Sequence, residues 1–130
     1  MNRLLTTLTA TTLAIAATSA LASPQKLITH NNTAVESNAY IAGTIPSTHP
    51  TKPYAEGKVS WTEVRMACFG HVVNGRCSAL IKMNTGSANP IDIGYLSMDL
   101  NSGDITPTQL SANGYTIKVN GPGETTITKD

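Results

Sequence analysis

The stretch CFGHVVNGRC, residues 68–77, holds both cysteines of the chain, and the use made of those two sulfurs restricts the fold more than any other feature. Three uses are open: a disulfide, part of a metal site, or two thiols on a tight hairpin. A type I′ turn centred on Asn74-Gly75 sets Val73 opposite Arg76 and Val72 opposite Cys77. Cys68 then falls opposite Ile81. The sulfurs are then four rungs apart, about 13 Å at about 3.3 Å per residue. A disulfide needs Cα atoms within about 7 Å. The tight hairpin and the disulfide therefore exclude one another.

The N-terminus decides between them. Arg3 precedes an uncharged apolar and Thr-rich stretch from Leu4 to Ala17, and Ala20-Leu21-Ala22 is a small-x-small site. Residues 1–22 therefore read as a secretory signal peptide cut before Ser23. The segment is too short and too rich in Thr for a membrane anchor, which needs roughly 20 mostly apolar residues. No cysteine follows the cut to carry a lipid, and no later stretch predicts stable membrane insertion. Export, to the periplasm or beyond, places both thiols in an oxidising space, where two cysteines in a small domain pair. The expectation is a Cys68–Cys77 disulfide closing an eight-residue loop, with Asn74-Gly75 as a turn inside it. Zinc on Cys68, His71 and Cys77 lacks the usual two pairs of ligands.

Removing 22 of 130 residues leaves 108, the size of one domain. Nine Lys and Arg stand against eight Asp and Glu, and loss of Arg3 makes the mature chain formally neutral. Scattered single charges give no reason to expect nucleic acid or an anionic membrane as partner. Residues 23–57 carry Pro24, Pro46, Pro50 and Pro53, and read as an extended arm or linker with one short strand over 39–45. From Lys58 onward the apolar period is two, which makes residues 58–130 the main domain. Val59 and Trp61 alternate, then Val64, Met66 and Cys68 continue in a shifted phase, which predicts a strand with a bulge near Thr62-Glu63. Gly94 sits at a second phase switch, and Pro107 marks an edge strand. Five or six strands between turn signals, with no convincing amphipathic helix after Ser23, predict an all-β fold: a small antiparallel β-sandwich or barrel. The expected core is Val59, Trp61, Val64, Met66, Ile81, Met83, Ile93, Tyr95, Leu96, Met98, Ile117 and Val119.

Few residues point to chemistry. Asp99, Asn101 and Asp104 superficially match a calcium loop, but Gly103 and the acids are misplaced for one and no twelfth-position Glu follows. His30, His49 and His71 with Met66, Met83 and Met98 have the side chains that suit copper, although Met in phase with strands fills cores. No G-x-S-x-G elbow is present, and neither His71 with Asp92, Asp99 or Asp104 nor Glu56 with Glu63 obeys a catalytic spacing rule. No enzyme activity and no cofactor are expected. Asn31-Asn32-Thr33 is a glycan acceptor signature where the host glycosylates. The candidate binding loop is Phe69, His71, Val72, Val73, Asn74 and Arg76, since an apolar tip held by a disulfide is a rigid anchor. The reading is an exported β-domain that binds a protein or surface glycan. The alternatives are a structural subunit that self-assembles by adding an N-terminal strand to a neighbour, and a periplasmic metal handler.

Overall fold

In the computed structural model, which describes residues 22–130, the chain enters directly as a strand, β1 (Lys26–Asn32). Ten more follow: β2 (Ser37–Ile41), β3 (Ile45–Pro46), β4 (Ala55–Ser60), β5 (Val72–Val73), β6 (Arg76–Met83), β7 (Ile91–Asp99), β8 (Ile105–Thr106), β9 (Gln109–Ala112), β10 (Tyr115–Gly121) and β11 (Glu124–Lys129). They form two sheets, ordered β4-β1-β11-β10-β9 and β3-β2-β6-β7-β8, with β5 also paired to β6. The expected all-β class and two-layer architecture hold. The ladders are antiparallel except that β1 and β11 run parallel, Ile28 beside Glu124 and Asn32 beside Thr128. The expected leader lies outside the described residues, Ala22 excepted.

Residues 23–57, read as an arm or linker, are woven into both sheets. β1 has β4 on one side and β11 on the other, and β2 pairs with β6. Donating β1 to a neighbouring copy would break two ladders at once. The inward positions of β1 explain why the pattern hid it: they are Leu27, Thr29 and Asn31, only one of them apolar. Asn31 is fully buried because its amide is fully used. Its Nδ2 donates to the carbonyls of Val35 (2.8 Å), Lys52 (3.1 Å) and Thr51 (3.3 Å). Its Oδ1 accepts from the Thr33 hydroxyl (2.7 Å) and amide (3.1 Å). A side chain enclosed in this way is closed to glycosylation in the folded state.

The second correction is a helix. Trp61–Cys68 is α1, not a bulged strand. Ser60 caps it: its Oγ accepts from the Glu63 amide (3.2 Å) and donates to Glu63 Oε1 (3.0 Å), which closes the first turn. Trp61, Val64 and Cys68 recur on one helical face and are buried, while Met66, expected in the core, is 70% exposed.

The core lies between the sheets in two clusters. One is Met83, Ile93, Leu96, Ile105, Tyr115, Ile117 and Ile127; the other is Ile41, Trp61, Val64, Cys68, Cys77 and Leu100. Met98 packs against both. The register of β6 against β7 slips between Ile81 and Lys82, next to Gly94 (φ +153°), so the expected irregularity at Gly94 is present. That slip turns Tyr95 outward, 54% exposed, and Leu96 inward. Pro107 stands where the chain leaves β8, the edge of one sheet, for β9, the edge of the other.

Candidate functional site

Helix α1 ends at Cys68, and the next nine residues build a braced tip. The Phe69 amide donates to Met66 O (3.2 Å) and the His71 amide to Cys68 O (2.8 Å). Gly70 adopts φ +84°, a left-handed conformation that glycine enters without Cβ strain. The chain then turns back as β5. Asn74 (φ +54°) and Gly75 (φ +76°) form the hairpin turn, with Val73 opposite Arg76 and Val72 opposite Cys77. Both left-handed residues are what a type I′ turn requires.

The disulfide is present as well, Cys68 to Cys77 with Cα atoms 6.0 Å apart. The tight hairpin and the bridge therefore coexist, against expectation. Their exclusion assumed that Cys68 continues the β5 strand. Instead it ends a helix that packs beside Cys77, so the two cysteines meet sideways and not four rungs along.

The candidate loop residues divide by what they touch. Phe69 is 85% exposed and Val73 70%, with Met66 on the last turn of α1 equally open. Val72, His71 and Asn74 are also exposed. Arg76 does something else. Its Nε donates to Ser97 Oγ (2.8 Å), and its Nη2 to Ser97 O (2.9 Å), Thr106 Oγ1 (3.1 Å) and Asp104 O (3.3 Å). It clamps β6 to β7 and β8. At the root of the tip, the Leu100 carbonyl accepts from Arg65 Nη2 (2.7 Å) and Trp61 Nε1 (2.9 Å), while the Leu100 amide donates to Gly75 O (2.9 Å).

The other candidate side chains are distributed over the molecule. Asp99 Oδ1 accepts from the amides of Asn101 (2.8 Å) and Ser102 (2.9 Å), which hold its carboxyl below the usual range. That carboxylate closes a turn. His30 Nε2 donates to Glu124 (2.7 Å), and His49 Nε2 to Glu63 Oε2 (2.9 Å). Met83 is buried in the first cluster and Met66 is exposed on α1, so the methionines do not share a surface. Among the described residues, no group of three or more His, Cys, Asp and Glu side chains is placed to hold a metal ion.

Glu63 joins the cap of α1 to the segment before β4 through His49. The Ser60 hydroxyl, and then His49, hold its carboxyl below the ordinary carboxylate range. A depressed folded value stabilises the fold above the unfolded value, about 4.3, and that contribution is lost as the pH falls through the lower folded value. Wild type is expected to melt above Glu63→Gln at pH 6, and the gap to close on acidification to pH 3. A gap that does not change with pH would remove the carboxylate from the account.

The whole chain, residues 1–130, matches the family model described as T2SS substrate NttC. Among solved structures, the crystal structure of the Legionella pneumophila type II secretion system substrate NttC is similar: 62% identical, covering 83% of this chain and 100% of that one, with a TM-score of 0.82. No curated protein matches. Alike in sequence along its entire length and in fold across 83% of it, the chain is an exported protein and belongs to the family of the type II secretion system substrate NttC.

Proposed function

We propose that this exported protein works outside the cytoplasm as a binding module, without catalysis, and that its contact surface is the braced tip formed by Met66, Phe69, Val72 and Val73. The observation that carries this reading is Phe69. It is 85% exposed on a backbone fixed by a disulfide, a helix end and a two-residue turn. A large apolar ring in water contributes little to folding, whereas a rigid aromatic anchor loses little entropy when a partner covers it. The partner is a protein surface with an apolar pocket, in preference to a glycan. The tip offers Phe and Val with few hydrogen-bonding side chains, and His71 and Asn74 stand beside them.

The test is the double variant Phe69→Ser/Val73→Ser. Both positions are exposed, so its melting temperature is expected to stay within about 2 °C of wild type. Site-specific photo-crosslinking from position 71 in the secreted-protein milieu is expected to trap a protein with wild type and not with the double variant. A parallel glycan array decides the ligand class. Equal crosslinking by wild type and variant, or glycan binding lost in the variant, would overturn the assignment to a protein-binding tip.

A further inference from the structure

Both core clusters contribute to the wall of one space, beside the Met98 that bridges them. Between the sheets, under α1 and the segment 45–51, lies an apolar cavity of about 490 Å³. Inward side chains of both sheets wall it, among them Leu27, Ala79, Ile81 and Met98, which stay half-buried although they face the interior. Protein interiors normally leave few voids larger than a water molecule, because unfilled space forfeits contacts. An apolar cavity is a poor home for water and takes up apolar molecules. This one has the size of a small-molecule site. Exposed members of its lining, among them Ile45, His49, Glu63, Met66 and Ala67, mark the mouth.

The charges at that mouth narrow the occupant. Among the described residues, no Lys or Arg lines the cavity. Its basic side chain, His49, is already bound to Glu63 at 2.9 Å. The Glu63 carboxylate stands on the same rim, with no cation besides His49 beside it, and disfavours an anionic head group. Inside, Thr29 and Thr125, neighbours on adjacent strands, and the buried Ser37 and Thr51 bring hydroxyls to a mainly apolar wall. From the cavity and its rim we infer that the protein binds a single-chain neutral amphiphile, such as a long-chain alcohol or a monoacylglycerol. The alkyl chain lies between the sheets, and the uncharged head sits between α1 and the segment 45–51. This site meets the braced tip at Met66 alone, since Phe69, Val72 and Val73 do not line it, and it is tested independently of them.

The probe is N-phenyl-1-naphthylamine, a neutral dye whose emission rises in apolar surroundings. Wild type is expected to bind it saturably, and dodecanol to displace it about tenfold more effectively than dodecanoate at pH 7. Ala67→Phe, an exposed helix position on the cavity's lining, plugs the mouth without disturbing a sheet. Ala79→Phe fills the interior from β6. Each is expected to weaken dye binding by about tenfold or more. Circular dichroism and a thiol assay establish that the variants are folded with the disulfide intact. The double variant Phe69→Ser/Val73→Ser is expected to bind the dye as wild type does. No saturable binding, or undiminished binding by a folded Ala67→Phe protein, would overturn the cavity site. Dodecanoate that displaces the dye as well as dodecanol would overturn the neutral head group, and binding lost only with the tip variant would move the site to the tip.

Discussion

Asn31→Ala is expected to cost about 4 kcal/mol, a large share of the 5–15 kcal/mol that holds a domain of this size together. The figure follows from which groups are orphaned. Thr51 O keeps the Ser37 amide (2.9 Å), and the Thr33 hydroxyl, released from Asn31 Oδ1, turns its proton to Val35 O (3.1 Å), so these two carbonyls retain a partner. The Thr33 amide and Lys52 O lose the partner that Asn31 supplied. Each buried orphan costs about 1–3 kcal/mol. The melting temperature should fall by roughly 15 °C. Asn32→Ala, at the exposed neighbour, is the control and should change little. Asn31→Asp separates geometry from charge. It keeps the acceptor for Thr33 but sets a carboxylate against three carbonyls. At neutral pH it should be at least as unstable as Asn31→Ala, and it should recover in part at low pH, where the neutral acid again has a donor. A drop below about 3 °C for Asn31→Ala would show that the network is redundant.

The same residue shows where sequence reasoning stopped. Alternation of apolar and polar residues made β6, β7 and β10 readable, because their inner faces carry Ile81 and Met83, Ile93 and Leu96, and Tyr115 and Ile117. It was blind to β1, whose inner face depends on an amide network and a threonine. Prolines at 46, 50 and 53 then made the whole segment look loose. In the structure those prolines flank the stretch that Asn31 ties down through Thr51 and Lys52. Helix α1 was legible in part. Ser60 with Glu63 is a capping signature, but Trp61, Val64, Met66 and Cys68 fit two strand phases as well as a helix, and eight residues are too few for the period to decide. The cavity left no trace in the sequence, since Ala79, Ile81 and Met98 alternate just as a filled core would. The left-handed Gly70 that turns the chain beside the exposed Phe69 has no pattern of its own.

Removing the bridge with Cys68→Ser/Cys77→Ser is expected to destabilise the protein by about 4 kcal/mol, and to affect binding by the tip more than the sheets. Closing a loop of about ten residues contributes about 2.7 kcal/mol in the chain-entropy model. The remainder comes from burial. Cys68 and Cys77 are 4% and 5% exposed inside the second cluster with Trp61, Val64 and Leu100, so two serine hydroxyls replace an apolar bridge there. The variant Cys68→Ala/Cys77→Ala omits the hydroxyls and should recover about 1 kcal/mol, which separates the two contributions. Local consequences differ from global ones. Val72 and Val73 remain paired to Cys77 and Arg76, and Arg76 still holds β7 and β8, so the hairpin keeps its register. The end of α1 loses its covalent tether, and Met66, Phe69 and Gly70 are free to separate from β5. Hydrogen exchange should therefore rise first at the amides of Phe69 and His71, which donate to Met66 O and Cys68 O, well before that of β10 and β11. Uniform loss of protection across the domain would instead make the disulfide a general staple, and the tip's rigidity would no longer depend on it.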